Sequence, residues 1–218
     1  MTKGYNHYCG LARGLEILEP KWTLLIVREL LISPQRFGEL TNGVPGIATN
    51  LLATRLRDLE AAGVVERSLA KDSNTVLYQL TPWGMELREV VRAYAIWSTP
   101  LMVSGPQEGD QFQPHWLVVA LRALLHDARS RRKVVVWVEV DETVIRISVD
   151  RAATSVKLET GESDGTLLIT DATSVMGLAA GMIPLDNVLA SSKLRGSRDD
   201  LARVFDQHAD AEWALSHI

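Results

Sequence analysis

The stretch PGIATNLLATRLRDLEAAGVVER, Pro45 to Arg67, opens on a turn pair and then repeats leucine at helical spacing. Pro45 and Gly46 punctuate the chain. Leu52, Leu56 and Leu59 follow at i, i+4 and i+7, which stacks them on one stripe of an α-helix, and Gly63 supplies the residue that closes such a helix. The stripe predicts a core-facing side. At 100° per residue the opposite side carries Asn50, Ala53, Thr54 and Arg57, with Thr49 beside them in the first turn. Short polar donors, a small apolar residue and a guanidinium suit base edges and phosphates. An ordinary amphipathic helix with a solvated outer face has the same periodicity, so the flanks must decide.

Upstream, Cys9–Leu18 and Trp22–Ile32 read as two helices separated by Glu19 and Pro20, the second almost wholly apolar on its inner side. Pro34 stops it. Arg36–Leu40, RFGEL, predicts one short helical turn, and Thr41–Gly46 a Gly/Pro/Asn loop leading into the amphipathic helix. Short helix, turn and amphipathic helix make a helix-turn-helix. Downstream, Val64–Leu69 and Val76–Leu80 are strand-like runs around Lys71, Asp72, Ser73 and Asn74, a β-hairpin that in this context is a wing. Thr81 followed by Pro82 predicts an N-cap and first turn for a helix reaching about Val103. That helix places Leu87, Val90, Val91, Tyr94, Trp97 and Leu101 at helical spacing, more apolar surface than a small winged domain needs. A dimer interface, joined by Tyr5 and Tyr8 of the N-terminal arm, is the expected sink, with packing on the following domain as the alternative.

The words KWTLLIVRELL, RFGEL, GIATNLLATRLRDLEAAGVVER and YQLTPWG, in this order and spacing, closely resemble the HxlR-type branch of the MarR-like winged-helix transcriptional regulators over roughly residues 5–103. The resemblance implies a homodimer on an inverted repeat of double-stranded DNA, with the recognition helix in the major groove and the wing on backbone or minor groove. It carries base reading onto Thr49, Asn50, Ala53, Thr54 and Arg57, and phosphate contacts onto Arg36, Arg67 and Lys71. Many members have Ser-Gln-Lys where this chain has Ala48-Thr49-Asn50, which leaves the operator sequence open. Several place a redox-sensing cysteine ahead of the first helix, so the resemblance offers that role to Cys9; a small buried apolar residue is the plainer reading of a lone cysteine.

Ser104–Pro114, SGPQEGDQFQP, has the composition of a linker, predicting domains at 1–103 and 115–218. Beyond it the pattern predicts a helix over His115–Ala128, then strands over Val134–Val140, Val144–Val149, Ser155–Glu159 and Thr166–Ile169. Helices over Ala172–Met182, Leu185–Ala190 and Ser197–His208 complete it: an α+β fold built on an antiparallel meander. Residues 171–206 resemble the C-terminal part of sterol-carrier-protein-like domains. That likeness implies a helical cover over a small sheet, an apolar pocket walled by Trp116, Leu125, Met176, Met182, Leu189 and Phe205, and an apolar small-molecule effector. A dry core is the competing account of the same residues. In the first strand Val134, Val136, Val138 and Val140 share one face. Trp137 falls on the half-polar one, where contact with the winged domain or a partner subunit is expected.

Composition narrows the functional classes. The chain has 218 residues, 46% hydrophobic, and net charge −4. Residues 1–103 hold 11 Lys+Arg against 10 Asp+Glu, leaving 12 against 17 for the remainder, so the half offered to DNA is near neutral and the other half acidic. One cysteine forbids an intramolecular disulfide, and no signal peptide or membrane-spanning run is evident, which predicts a soluble cytoplasmic protein. Gly161-Glu162-Ser163-Asp164-Gly165 matches the G-x-S-x-G of a nucleophile elbow. Thr166–Ile169 reads as a strand where an elbow needs a helix, so a polar hairpin loop is predicted. His7, His115, His126, His208 and His217 show no zinc spacing, and no phosphate-cradling glycine motif occurs. No enzyme, metal or cofactor is expected. The competing classes are an enzyme with its site in the C-terminal domain and a winged-helix adaptor for protein contacts.

Overall fold

The computed structural model describes residues 4–70, 75–102, 105–161 and 163–206. Lys71 and the rest of the expected wing turn, Val103 and Ser104, Glu162, His208 and His217 lie outside them. The chain divides into two compact units, Met1–Val91 and Arg92–Ile218. No helix among the described residues is long and apolar enough to cross a membrane.

The first unit runs α1 (Gly10–Leu18), α2 (Thr23–Ile32), α3 (Phe37–Gly43), α4 (Thr49–Ala61), β1 (Val65–Leu69), β2 (Val76–Leu80) and α5 (Pro82–Met85), with α6 (Leu87–Trp97) crossing into the second unit. Leu52, Leu56 and Leu59 of α4 are sealed against Ile26, Val27 and Leu30 of α2 and Leu40 of α3 in one apolar cluster. Gly63 ends α4 with φ +75, a left-handed conformation that costs glycine little, while Val64 N–H reaches back to Leu59 O. β1 and β2 pair antiparallel from Val65↔Leu80 to Leu69↔Val76, and Gln35 adds a third edge by exchanging two backbone hydrogen bonds with Tyr78. This is a winged helix.

Two boundaries differ from the sequence reading. α3 continues to Gly43, through residues expected to form a loop, because Gly43 packs on the buried Arg28–Glu29 pair of α2. Arg28 Nη2 donates to Glu29 Oε1 at 2.8 Å and to Gly43 O at 3.1 Å, and the Glu29 side chain is wholly buried. The expected single helix from Pro82 is instead two helices and a 3₁₀ turn, Thr99–Met102. Its first turn is pinned: the Thr81 hydroxyl accepts from Gly84 N–H, and Gly84 lies so close on the Val64 carbonyl that no side chain would fit. Glu86 N–H then turns to Trp83 O, an i−3 bond that breaks the α-helical ladder.

The second unit carries α7 (Leu117–Leu124), β3 (Val134–Val140), β4 (Thr143–Val149), β5 (Thr154–Glu159), β6 (Thr166–Ile169), α8 (Ala172–Ala179), α9 (Leu185–Ser191), β7 (Lys193–Arg195) and α10 (Arg198–Phe205). α7 and α8 are shorter than the sequence pattern predicted, α9 runs one residue further, and β7 is too short to have shown an alternation. The sheet order is β5-β4-β3-β6-β7. β3, β4 and β5 form the expected meander, but β6 pairs parallel to β3, Val136↔Thr166 to Glu139↔Ile169. The sheet is therefore mixed. Val134, Val136, Val138 and Val140 are buried, as are Ile145 and Ile147 beside them. Leu121 of α7 and Leu201, Val204 and Phe205 of α10 complete that core.

The mixed order overturns the hairpin reading of residues 161–165. β5 and β6 run in the same direction with β4 and β3 between them, so the connection crosses the sheet. Gly165, at φ +143, lies against the Trp137 ring, and Arg195 Nη2 donates to the Ser163 carbonyl and hydroxyl at 2.6 Å, which puts the crossing on the Trp137 face. Trp137 is thereby 8% exposed, with the Arg146 guanidinium 5.9 Å from its ring centroid. Gly165 of the crossing connection and Arg146 of β4 both lie on this ring.

Candidate nucleic-acid interface

α4 is set by what precedes it. Gly46 has φ +86 and sits against the Trp22 ring, so the Pro45-Gly46 turn is clamped by the residue that starts α2. Ile47 tucks into the core and Ala48 caps α4 in an extended conformation without a side-chain acceptor. Ala48, Thr49 and Asn50 are left exposed in the first turn, where backbone N–H groups point outward and the helix dipole favours anions. Asn50 Oδ1 accepts from Leu51 N–H at 2.9 Å.

Along the outer face the side chains are linked. Arg57 Nη2 donates to Thr54 Oγ1 at 3.2 Å, and that hydroxyl donates to Asn50 O at 3.0 Å. Asn50 and Arg57 are exposed and Ala53 and Thr54 half-exposed, so Thr49, Asn50, Ala53, Thr54 and Arg57 lie on one accessible helix face. Arg55, one residue along, is used internally: it reaches Lys21 O and pairs with Asp58 at 3.1 Å.

The three phosphate candidates have different fates. Arg36 is exposed ahead of α3, its N–H donating to Glu39 Oε2 at 2.6 Å. Arg67 is held in a two-pronged pair with Glu60 of α4, at 2.6 and 2.9 Å, with its guanidinium 5.4 Å from the Tyr78 ring centroid. The hydrogen bonds it donates to Glu60 push its pKa further up. A phosphate there must compete with a carboxylate. Sequence reading missed Glu60, whose only local signal was its place seven residues before Arg67 across the helix end. Lys71 lies outside the described residues.

The expected interface residues of α6 fall on two sides. Leu87 and Val91 pack against the core of the winged unit, which takes that side of the helix. Val90, Tyr94 and Trp97 are exposed, Trp97 at 70%, and Leu101 in the 3₁₀ turn is equally open; the Tyr94 and Trp97 rings lie 5.6 Å apart. Tyr5 and Tyr8 are exposed too, with Tyr5 N–H bonded to Glu16 Oε1 of α1. Leu11 and Leu15 of α1, not singled out in the sequence, add to the exposed apolar set. Cys9 stands at the N-cap position of α1 with an exposed thiol, and the backbone N–H groups of Ala12 and Leu11 facing it lower its pKa.

The six expected pocket residues of the second unit divide as well. Leu125 and Phe205 are sealed in the core, Trp116, Met176 and Leu189 are half-buried, and Met182 is exposed. Among the described residues no three His, Cys, Asp or Glu side chains gather as a metal site.

Comparison with known proteins places the likeness in the N-terminal part of the chain, across the first unit and the start of the second. A family model described as HxlR-like helix-turn-helix matches residues 17–104. An uncharacterized HTH-type transcriptional regulator of Synechocystis is 35% identical over 89 residues, 40% of this chain and 66% of that protein. The chain thus spans just under two thirds of that relative's length. The HTH-type transcriptional regulator YodB of Bacillus subtilis is 35% identical over 93 residues, 42% of this chain and 83% of that protein. The solved reduced form of YodB is 30% identical, covering 46% of this chain and all of that one, with a TM-score of 0.40.

Proposed function

The chain belongs to the HxlR-like helix-turn-helix family of transcriptional regulators, and from that premise we propose that it is a cytoplasmic repressor binding an inverted-repeat operator as a homodimer. The observation that carries the reading is the outer face of α4. Thr49, Asn50, Ala53, Thr54 and Arg57 are presented together on a helix whose other side is locked into the core. Arg36 and Lys71 are the phosphate contacts, and Arg67 joins them when it exchanges Glu60 for DNA. The relatives are regulators and not enzymes, and the same holds here.

Dimerisation is read from Val90, Tyr94, Trp97 and Leu101, with Tyr5 and Tyr8 of the arm. Contiguous exposed aromatics on one helix are surface that a partner copy removes from water. In the second unit we read a sterol-carrier-like sensor domain over 115–218, joined by a linker at 104–114. A five-stranded sheet with α7 and α10 packed on its strands supports it, and half-buried Trp116, Met176 and Leu189 with exposed Met182 are the places for an apolar effector to enter. Cys9 is the candidate redox group, supported by its exposed thiol and lowered pKa.

The test is selection from a pool of random duplexes by the purified full chain. The expected result is an enriched inverted repeat with half-sites about one helical turn apart. Enrichment of no sequence, or of a single unrepeated site, overturns the reading.

A further inference from the structure

We infer that the second unit carries its own contact surface for the phosphate backbone of DNA, formed by Arg131, Arg132, Lys133 and Arg151 with Arg129 at its edge. These residues come from the α7–β3 and β4–β5 connections, which the fold brings to one end of the sheet. Ser130 N–H donates to Asp150 O at 3.0 Å, Arg151 Nε to Arg131 O at 2.8 Å, and the Thr154 hydroxyl to Ala128 O at 2.7 Å. All five cations are exposed.

The neighbouring acids offset part of this charge but carry hydrogen bonds of their own. Asp150 accepts from the N–H groups of Ala152 and Ala153 and lies within electrostatic reach of Lys133 and Arg129, Asp127 is bonded to His126, and Arg129 Nη1 donates to the carbonyls of His126 and Ala128, which is why it stands at the edge. Asp200 accepts from Thr166 Oγ1 and stands 3.6 Å from Arg132. A concentration of cations in the acidic half of the chain runs against that half's composition. Four of the five are arginines, whose planar forks match phosphate oxygens. Exposed large apolar side chains are absent among the described residues of these two connections, which disfavours a membrane or an apolar protein partner. DNA is the polyanion that the first unit already brings to the molecule. The inference rests on the DNA-binding reading above, and it adds affinity without adding sequence preference.

The test compares the full chain with its R131Q/R132Q/K133Q variant, with folding checked by thermal melting. Binding to the selected operator and to an unrelated duplex is measured across a salt series. The expected result is that both affinities fall by a similar factor and the slope of log K against log salt flattens by up to about 0.9 per lost contact. A K157Q/K193Q variant, altering cations elsewhere on the second unit, should leave the slope unchanged. An unaltered slope in the triple variant, or an equal per-residue change in the control, overturns the inference while leaving the operator reading intact. A selective loss on the operator overturns it too, since the patch would then read bases. If the parent chain binds neither duplex, the proposed function itself falls with it.

Discussion

Asn50 and Arg57 are exposed, so replacing either removes a proposed DNA contact without opening the core. Asn50→Ala and Arg57→Ala should each weaken operator binding by about 1–3 kcal/mol with melting temperatures unchanged, as equilibrium titration and calorimetry would show. Arg28→Met acts in the opposite way. It removes the Arg28 donors from the fully buried Glu29 carboxylate and from the Gly43 carbonyl, so stability should fall by about 3–5 kcal/mol in urea unfolding, and a Glu29→Leu change added to it should restore part of that loss. Cys9 gives a pH signature. Its thiolate is favoured by the N–H groups of Ala12 and Leu11, so the folded pKa is below the unfolded one. The stabilisation is present above the unfolded pKa and is lost as pH falls through the folded value. Alkylation rates followed against pH should turn up at lower pH in the folded chain than in urea-unfolded chain; coincident profiles would mean the thiol is unactivated.

α6 is an element with two owners. Leu87 and Val91 belong to the winged core, whereas Val90, Tyr94 and Trp97 face outward. Tyr94→Glu with Trp97→Glu should therefore give a folded monomer by sedimentation, with operator affinity reduced by the loss of simultaneous half-site engagement. Leu87→Glu should instead lower the melting temperature, because it buries a charge in the core. If the Tyr94/Trp97 variant remains dimeric, the interface lies elsewhere. The division of this helix was not legible in the sequence: its apolar residues recur at spacings that fit one broad stripe, and only the packing of the winged core says which part of the stripe is already covered.

At the scale of the whole molecule, an effector in the second unit can change DNA affinity only as far as it binds the DNA-competent and incompetent arrangements differently, typically about 1–3 kcal/mol. Fatty acids, sterol-like and aromatic compounds screened by thermal shift should yield a ligand that raises the melting temperature and shifts operator affinity by about that amount. Its effect should be blunted by Met176→Ala or Leu189→Ala. Ligands that bind without altering operator affinity would reduce the second unit to a structural or polyanion-binding module.

The sequence by itself determined the winged helix. A 3.6-residue leucine period, a glycine at the helix end and a Thr-Pro start are local signals, and each was met where it was expected: Leu52, Leu56 and Leu59 buried, Gly63 left-handed, Thr81 capping α5. The outer face of α4 followed from the same period. Tertiary structure alone decided that Glu60 holds Arg67, that the 160–165 connection crosses the sheet, and that Gly165 lies on the Trp137 ring. It also decided that the cations of two separate connections meet at one sheet end. The reason is common to all four. Period and punctuation record which side of an element is apolar, whereas a partner distant in sequence is chosen by strand order and packing, which leave no periodic trace along the chain.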